Sequence, residues 1–488
     1  MRSKKESNRI GSDAIKLTGS KVATTVIALV SSMLLSRFRS LTEYGTYSQL
    51  LMAINLVCSV IMLGLPNSIN YFLAKTETDQ ERDRFLSVYY TLNTILSLTV
   101  GLVLVLSTPL LEVIFKNDLI RSFWYFLAFF PWTKIIMSSV ENLLIVYHKT
   151  NTLMIYRVTN SAALLGIIVL VQVFEGTFTT YMMLYLAVEA AFTLWTYWQV
   201  TRNASQFRPR LDKELMKTIF SFSIPIGLAS MVGTINIELD KLVITTFFST
   251  EDLAVYTNAS KELPVTVIST SLTAVLLPQM VRLLRDDKKK EAVDLWKSAT
   301  TISFAIICFI AAGCFVFAPE VITVLYSKKY LGGVSVFRVY CLVLLLRCTY
   351  FGMLLNATGK TKFILYSSIG SLLLNIVLNY IMYYFFGFIG PALATLISSL
   401  IMQMVQLLYS AITCEIQFRA IFPWANALRI LILNIGFGVI LYLLHSFTKN
   451  YIEPVLSAIV LGVLWMGVEA LILFTPIKKQ WQFLNRTN

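Results

Sequence analysis

Ser40-Leu41-Thr42-Glu43-Tyr44-Gly45-Thr46-Tyr47 returns 209 residues later as Ser249-Thr250-Glu251-Asp252-Leu253-Ala254-Val255-Tyr256. Glu43 falls on Asp252 and Tyr47 on Tyr256. A slide of 210 to 211 residues carries the match onward: Pro109 meets Pro319, Phe115 meets Tyr326, Lys149-Thr150 meets Lys360-Thr361, and Gly176 meets Gly387. Turns and charges align as well as apolar residues, which is how a duplicated architecture reads. Each copy holds six apolar runs, an even number, so both copies cross a membrane in the same orientation. Such parallel repeats place a substrate site at their interface, near the bilayer midplane. The expected fold is all-α and polytopic, with about 14 transmembrane helices. Two pseudo-symmetric six-helix lobes, 1–212 and 213–418, precede helices 13 and 14 with a cytoplasmic tail, 419–488.

Composition supports a membrane protein. The 488 residues are 56% hydrophobic and 14% charged, with mean hydropathy +0.69, whereas a soluble chain needs roughly 25% charged residues. The net charge of +14 sits in short clusters between apolar runs of about 20 residues, the span length of a helix in hydrocarbon. That placement argues against a nucleic-acid partner. The first apolar run is a full span with no small-residue cleavage site, so it reads as a retained helix. Cys58, Cys308, Cys314, Cys341, Cys348 and Cys414 lie in or beside apolar runs and form no C-x-x-C pair, as small packing residues would.

The first seven expected spans are 14–37, 43–73, 84–108, 120–147, 152–173, 178–201 and 214–248. The second seven are 251–284, 296–318, 334–357, 363–386, 390–414, 424–446 and 452–475. With the N-terminus inside, 29 of the 41 Lys and Arg residues fall on the cytoplasmic side and eight outside. The positive-inside rule then puts both termini in the cytoplasm, in a multi-pass protein of the inner membrane. The outward loops are too short for a separate domain.

Enzyme signatures fail. Gly359-Lys360-Thr361 lacks the first glycine of a phosphate loop, where Leu354 stands, and follows no strand. The only histidines are His148 and His445, and neither an H-E-x-x-H nor a G-x-S-x-G motif occurs. No residue is assigned to catalysis or to a metal, and no cofactor is expected.

Ionisable residues within spans cost at least ~2.5 kcal/mol each and need explaining. Lys134, Ser138, Glu141 and Asn142 are spaced to share one face of the fourth span. The repeat offset puts Lys134 opposite Leu345, so Arg347 in the tenth span lies at nearly the same depth. One shared anion site or two separate ion pairs would both produce this. Glu238 and Lys241 are spaced for a local pair. Asp240 faces elsewhere, toward Asn236, as a candidate for cation or proton coupling or as part of a structural pair. The first span carries Thr18, Lys21, Thr25, Ser32 and Arg39 on one face, suited to a wet cavity wall or, for the cations, to snorkelling. Ser371, Asn375 and Asn379 repeat by four and suit interhelical hydrogen bonds. Lys261, Glu262, Glu189 and Glu469 receive no role.

Four segments, in order, resemble the polysaccharide-transport (Wzx-type) flippases of the multidrug/oligosaccharidyl-lipid/polysaccharide exporter superfamily. They are Leu63-Gly64-Leu65-Pro66-Asn67-Ser68-Ile69 with Ala74-Lys75; Asp240-Lys241-Leu242 with Glu251 to Tyr256 and Ala259, Ala254 replacing the usual glycine; Asn356-Ala357-Thr358-Gly359-Lys360-Thr361; and Asn375 and Asn379 ahead of Phe386-Gly387-Phe388-Ile389-Gly390-Pro391-Ala392, Ala394 and Thr395. The resemblance covers essentially the whole chain. It implies alternating access between two lobes and an undecaprenyl-pyrophosphate-linked oligosaccharide as cargo, for capsule, O-antigen or exopolysaccharide synthesis. Polymerase and chain-length proteins of polysaccharide assembly are the implied partners, beside membrane lipid.

On this reading Lys21, Lys134 and Arg347 are the diphosphate candidates. Glu238, Asp240 and Lys241 are the ion-coupling candidates, with sodium, protons or the membrane potential alone as the drive. Thr25, Ser138, Glu141, Asn142, Asn375 and Asn379 would supply cavity polarity. A lipid II flippase shares the fourteen-helix plan. A multidrug/cation antiporter of the same superfamily would want an acidic cavity and usually twelve helices.

Overall fold

The computed structural model describes the backbone of residues 2–62, 64–76, 78–204 and 206–486. Side chains are described from Lys16 to Ile472, except Leu63, Asn67, Ala74, Glu77 and Ser205, and sparsely beyond. Leu63 of the first quoted motif, and the side chains of its Asn67 and Ala74, therefore lie outside what is described. Every regular element described is a helix.

Ten stretches are long and apolar enough to cross a membrane, and one of them, the 54-residue Thr361–Cys414, is two helices turning at Gly387–Ile389. Among the described residues, helix Phe178–Asn203 and two interrupted segments, 124–146 and 334–357, bring the helical runs to fourteen in the expected order.

The interruptions correct the sequence reading, which treats 43–73, 120–147, 251–284 and 334–357 as continuous. The second span runs Leu41–Met62, then restarts as Leu65–Lys75. Gly64 turns the chain with φ 73°, a region open to glycine. The fourth span is Trp124–Met137 and Val140–Val146. Here the Ser138 and Ser139 hydroxyls each donate at 2.6 Å to the carbonyls of Ile135 and Ile136, competing with the helical ladder.

The eighth span breaks between Thr250–Ala259 and Val267–Arg285. Pro264 has no N–H to give, and Leu263 before it is extended at φ −72°, ψ 146°. In the tenth, Val334–Leu345 is separated from Met353–Ala357 by a turn. The amides of Leu346, Arg347 and Cys348 reach back only three residues, and Gln403 Nε2 donates at 2.8 Å to the freed Leu346 carbonyl.

The breaks in the fourth and tenth spans correspond. Tyr90 Oη and Ser139 Oγ lie 2.8 Å apart; 210 residues on, Thr300 Oγ1 and Thr349 Oγ1 lie 3.1 Å apart. Each repeat thus ties its break to the neighbouring helix, Asp79–Leu106 or Lys289–Val316, by an equivalent hydroxyl pair. Trp296 Nε1 also donates to Thr349, at 3.0 Å.

The chain packs as two compact units, Met1–Ala254 and Val255–Asn488. In the first, helix Lys213–Phe247 packs along Leu41–Met62. Gly45 lies against the Thr250 backbone with no room for a Cβ. Thr42 Oγ1 donates to Glu251 Oε1 at 2.5 Å. Deeper, Gln49 Nε2 donates to Thr245 Oγ1 at 2.9 Å and accepts at Oε1 from Asn117 at 2.7 Å. At the other end Leu65, Ile69, Phe85, Tyr89, Ile136, Leu143 and Ile219 form the main apolar core. The second unit builds its core from Met280, Trp296, Ile307, Leu354, Leu407 and Ile430. Five of the six cysteines are buried and all are free thiols.

Candidate functional site

In the first unit a chain of four polar side chains crosses three spans. Lys134 Nζ, one turn before the break at Ser138, donates to Asn55 Oδ1. Asn55 Nδ2 donates to Glu238 Oε1 at 2.8 Å, and Lys241 Nζ donates to Glu238 Oε2 at 2.9 Å. The amide carries an acceptor and a donor on separate atoms, so it accepts from the ammonium and donates to the carboxylate together. Two lysines meet one carboxylate, Lys134 through the amide, and Asp240, buried two residues from Glu238, is a second carboxylate on the same helix. Glu238 is 4% exposed while Lys134 stays partly open.

The remaining first-unit candidates divide. The stripe expected along the fourth span assumes an unbroken helix, and the break splits it. Glu141 pairs with Arg157, while Asn142 Nδ2 donates at 2.8 Å to the Pro66 carbonyl and its Oδ1 accepts from Asn70 at 2.9 Å. These bonds fasten the inner piece of the second span to Val140–Val146. Ser138 closes its own turn. Asp240 is 2% exposed, beside Lys241 in sequence. Lys21 is exposed on helix Arg2–Phe38 in no ion pair among the described residues, and Thr25 Oγ1 donates to its carbonyl at 2.7 Å.

The second unit holds its own group. Arg347, inside the break of the tenth span, donates from Nε to Glu262 Oε1 at 3.1 Å, both side chains about half exposed. Glu262 stands in the break of the eighth span, next to Lys261, and all three line one crevice with Tyr340 and Leu344. Two unwound segments therefore present opposite charges to each other. Asn375 and Asn379 are buried: Asn379 Nδ2 donates at 2.9 Å to Asn375 Oδ1, and Asn375 Nδ2 to Thr395 Oγ1 at 3.5 Å. They join Thr361–Phe386 to Gly390–Cys414, whose contact is the most extensive between helices. An apolar cleft of about 620 Å³ opens among Cys308, Phe315, Arg338, Leu345 and Asn434, and Arg347 is not among its lining residues.

Sequence reasoning missed Asn55, the second amide of the run 41–62 after Gln49, and the part played by Glu262. Pro264 signalled the second. Nothing beyond the amide itself signalled the first.

A family described as polysaccharide biosynthesis protein matches residues 34–335 of the chain. The capsular polysaccharide biosynthesis protein CapF of Staphylococcus aureus is 23% identical over 190 residues, 38% of this chain and 48% of that protein, so the match spans about half its length. An uncharacterized membrane protein of Methanocaldococcus jannaschii is 24% identical over 358 residues, 69% of this chain and 82% of that one. Among solved structures, the lipid II flippase MurJ in an inward closed conformation superposes with a TM-score of 0.72 at 15% identity, covering 94% of this chain and 99% of its own. An inward-facing multidrug resistance MATE family transporter of the MOP superfamily gives 0.67 at 16% identity, covering 80% and 94%. At these identities the likeness is one of fold.

Proposed function

Because the chain belongs to the polysaccharide biosynthesis protein family, we propose that it is a flippase for undecaprenyl-pyrophosphate-linked oligosaccharide repeat units. It carries them from the cytoplasmic to the outer leaflet by alternating access, for surface polysaccharide assembly. The observation that carries this reading is one device made twice: an interrupted helix with a cation beside or within the interruption, Lys134 one turn before it in one repeat and Arg347 inside it in the other. Matching interruptions in two halves of a transporter are where substrate groups bind, because unwound backbone is tolerated in a membrane only beside protein or water.

The diphosphate must cross ~30 Å of hydrocarbon, and a site with excess positive charge offsets its lost hydration. With the cell interior negative, outward movement of an anion gains ~2.3 kcal/mol per charge per 100 mV. Glu238, bridged to both lysines of its group, is the residue through which a proton or sodium ion would couple. Lys and Arg placement supports an inner-membrane location with both termini cytoplasmic. Polymerase and chain-length proteins would act on the delivered units. Lipid II is the second cargo to test, since the likeness to MurJ extends over 94% of the chain.

The test is reconstitution in liposomes with a fluorescent polyprenyl-diphosphate oligosaccharide, scored by its accessibility to an impermeant quencher. Protein-dependent exposure of the label on the far leaflet is expected, with Lys134→Ala and Arg347→Ala each lowering it. No transfer of that lipid alongside transfer of lipid II would replace this cargo by the second. Wild-type rates in both variants would remove these cations from the site.

A further inference from the structure

In the second unit three helices meet at one histidine. His445 lies in the last turn of Trp424–Thr448, Ser457 near the start of Pro454–Arg486, and Glu320 in the short helix Ala318–Leu325. His445 Nδ1 is 3.0 Å from Ser457 Oγ, and Nε2 is 3.1 Å from Glu320 Oε1. The Phe317 ring stands perpendicular to the imidazole, with centroids 5.2 Å apart. His445 and Ser457 are buried, and the Glu320 side chain is 14% exposed.

The hydrogens fix the charge. Thr448 Oγ1 lies 2.9 Å from the Leu444 carbonyl, which can only accept, so the threonine hydrogen goes there. Ser457 Oγ and Thr448 Oγ1 are 2.6 Å apart, too close without a hydrogen between them, and Ser457 must supply it. A hydroxyl has one hydrogen. Ser457 therefore accepts from Nδ1, which carries its own. The contact of Nε2 with Glu320 needs a further hydrogen, on the ring or on the carboxyl. The pair thus holds one proton more than a neutral imidazole beside a carboxylate. When that proton leaves, the same heavy atoms need the reverse order: Thr448 donates to Ser457, Ser457 to Nδ1, and Nε2–H stays on Glu320. An ion pair becomes one hydrogen bond to a carboxylate whose Oε2 is buried without a hydrogen-bond partner, and a carboxylate in such a place is poorly held without a cation.

The other charges on the packed elements are turned outward or lie farther off. Lys328, Lys329, Lys449 and Glu453 are exposed, and Arg338 Nε donates at 3.2 Å to the Phe315 carbonyl. Arg429 and Glu469 lie about 24 and 18 Å farther along their helices. The first repeat supplies a control. Pro319 matches Pro109, so Glu320 matches Leu110, which is 60% exposed. The carboxyl occurs in the copy against which the appended helix Pro454–Arg486 packs.

We infer that His445 and Glu320 form a proton-binding site that latches the appended helices Trp424–Thr448 and Pro454–Arg486 to the second repeat. With the proton bound the latch is an ion pair, and without it one hydrogen bond and packing hold Ala318–Leu325. Acid therefore tightens the latch and alkali loosens it. The orientation argued above puts the site at the outward face; the site itself does not depend on the transported cargo.

The chain has two histidines, so His148→Asn leaves His445 as a single reporter, and asparagine tolerates the left-handed φ of 55° at that position. Nitrogen NMR of this protein in nanodiscs, with isotope-labelled histidine, reads each ring nitrogen. Below about pH 6 both should carry hydrogen; as pH rises Nδ1 should lose its hydrogen and Nε2 keep it. Glu320→Gln should move that loss to lower pH by at least about one unit. Hydrogen exchange read by mass spectrometry, corrected for base catalysis of exchange, follows the latch. In the wild type, protection of residues 318–325 should fall about fivefold across the same titration, and in Glu320→Gln it should be weak at every pH. Loss of hydrogen from Nε2 in place of Nδ1, a titration unmoved in Glu320→Gln, or protection that stays flat across it would each overturn the site. The wild-type exchange profile needs no substitution, so it decides the matter if Glu320→Gln misfolds.

Discussion

Asn55 is where a single side chain decides the character of the first-unit group. Replacing it with Leu keeps the volume similar but leaves Lys134 and one oxygen of Glu238 without the shared partner. A buried polar group left unsatisfied costs about 1–3 kcal/mol. The Asn55→Leu protein is therefore expected to melt several degrees lower in detergent and to transport at least about tenfold more slowly. Asn55→Asp puts an oxygen where the amide donated to Glu238 at 2.8 Å, so two carboxyls meet and repel unless one holds a proton, and this protein should melt lower than wild type as well. A transport rate equal to wild type in Asn55→Asp would show that the amide donor is irrelevant.

At the surface, the guanidinium of Arg84 and the Leu215 amide hold the Asp212 carboxyl below its ordinary range, and Lys289 does the same for Glu415. Both carboxyls are depressed in the folded state, so their contribution is complete above the unfolded carboxylate range. It is lost as pH falls through the lowered folded values. Melting temperature should fall on acidification below about pH 5, and Asp212→Asn should flatten part of that slope. Identical slopes for the variant and the wild type would show that the pair adds nothing.

The interruptions are the features that give each element its role, and they were unevenly legible. Fourteen apolar runs and their order followed from hydropathy and the repeat, because a membrane demands long apolar helices whatever the function. The break at Pro264 could be read from a missing N–H. The break at Leu346 to Gly352 was less legible, because Gly352 stands only at its far end and Gln403, which accompanies it, comes from a distant part of the chain. Ser138-Ser139 was weakly legible, since hydroxyls bond back to carbonyls in intact helices too. The charges within spans were legible as residues but not as partners. Spacing placed Glu238 with Lys241, and only the fold brings Asn55 between Glu238 and Lys134.

Pro264 also supplies a test at this scale. Pro264→Ala restores the amide and lets the eighth span wind continuously, which stabilises or leaves unchanged an element of this length. It would also carry Glu262 away from Arg347. The expected outcome is a protein that melts no lower than wild type yet transports poorly. Undiminished transport would mean that the break has no mechanical use.

Across the whole molecule, the equivalent hydroxyl pairs Tyr90–Ser139 and Thr300–Thr349 show that the two copies keep the position of their break while changing the residues that fasten it. If Lys134 and Arg347 serve the same cargo, their losses should not add. The Lys134→Ala, Arg347→Ala double variant should be hardly slower than the worse single one, measured in the liposome assay. Strictly multiplicative losses would point to two independent steps.

Thr42 and Glu251 hold the same place in the two copies, and they touch. Duplication writes one letter at both places, and where a position meets its own twin, identical letters are a poor start: two glutamates would repel, and two threonines would have a shorter reach. The bond exists because the twins differ. Exchanging them, with Thr42→Glu and Glu251→Thr together, would rebuild it with donor and acceptor swapped, whereas either change alone would leave a matched and mismade pair.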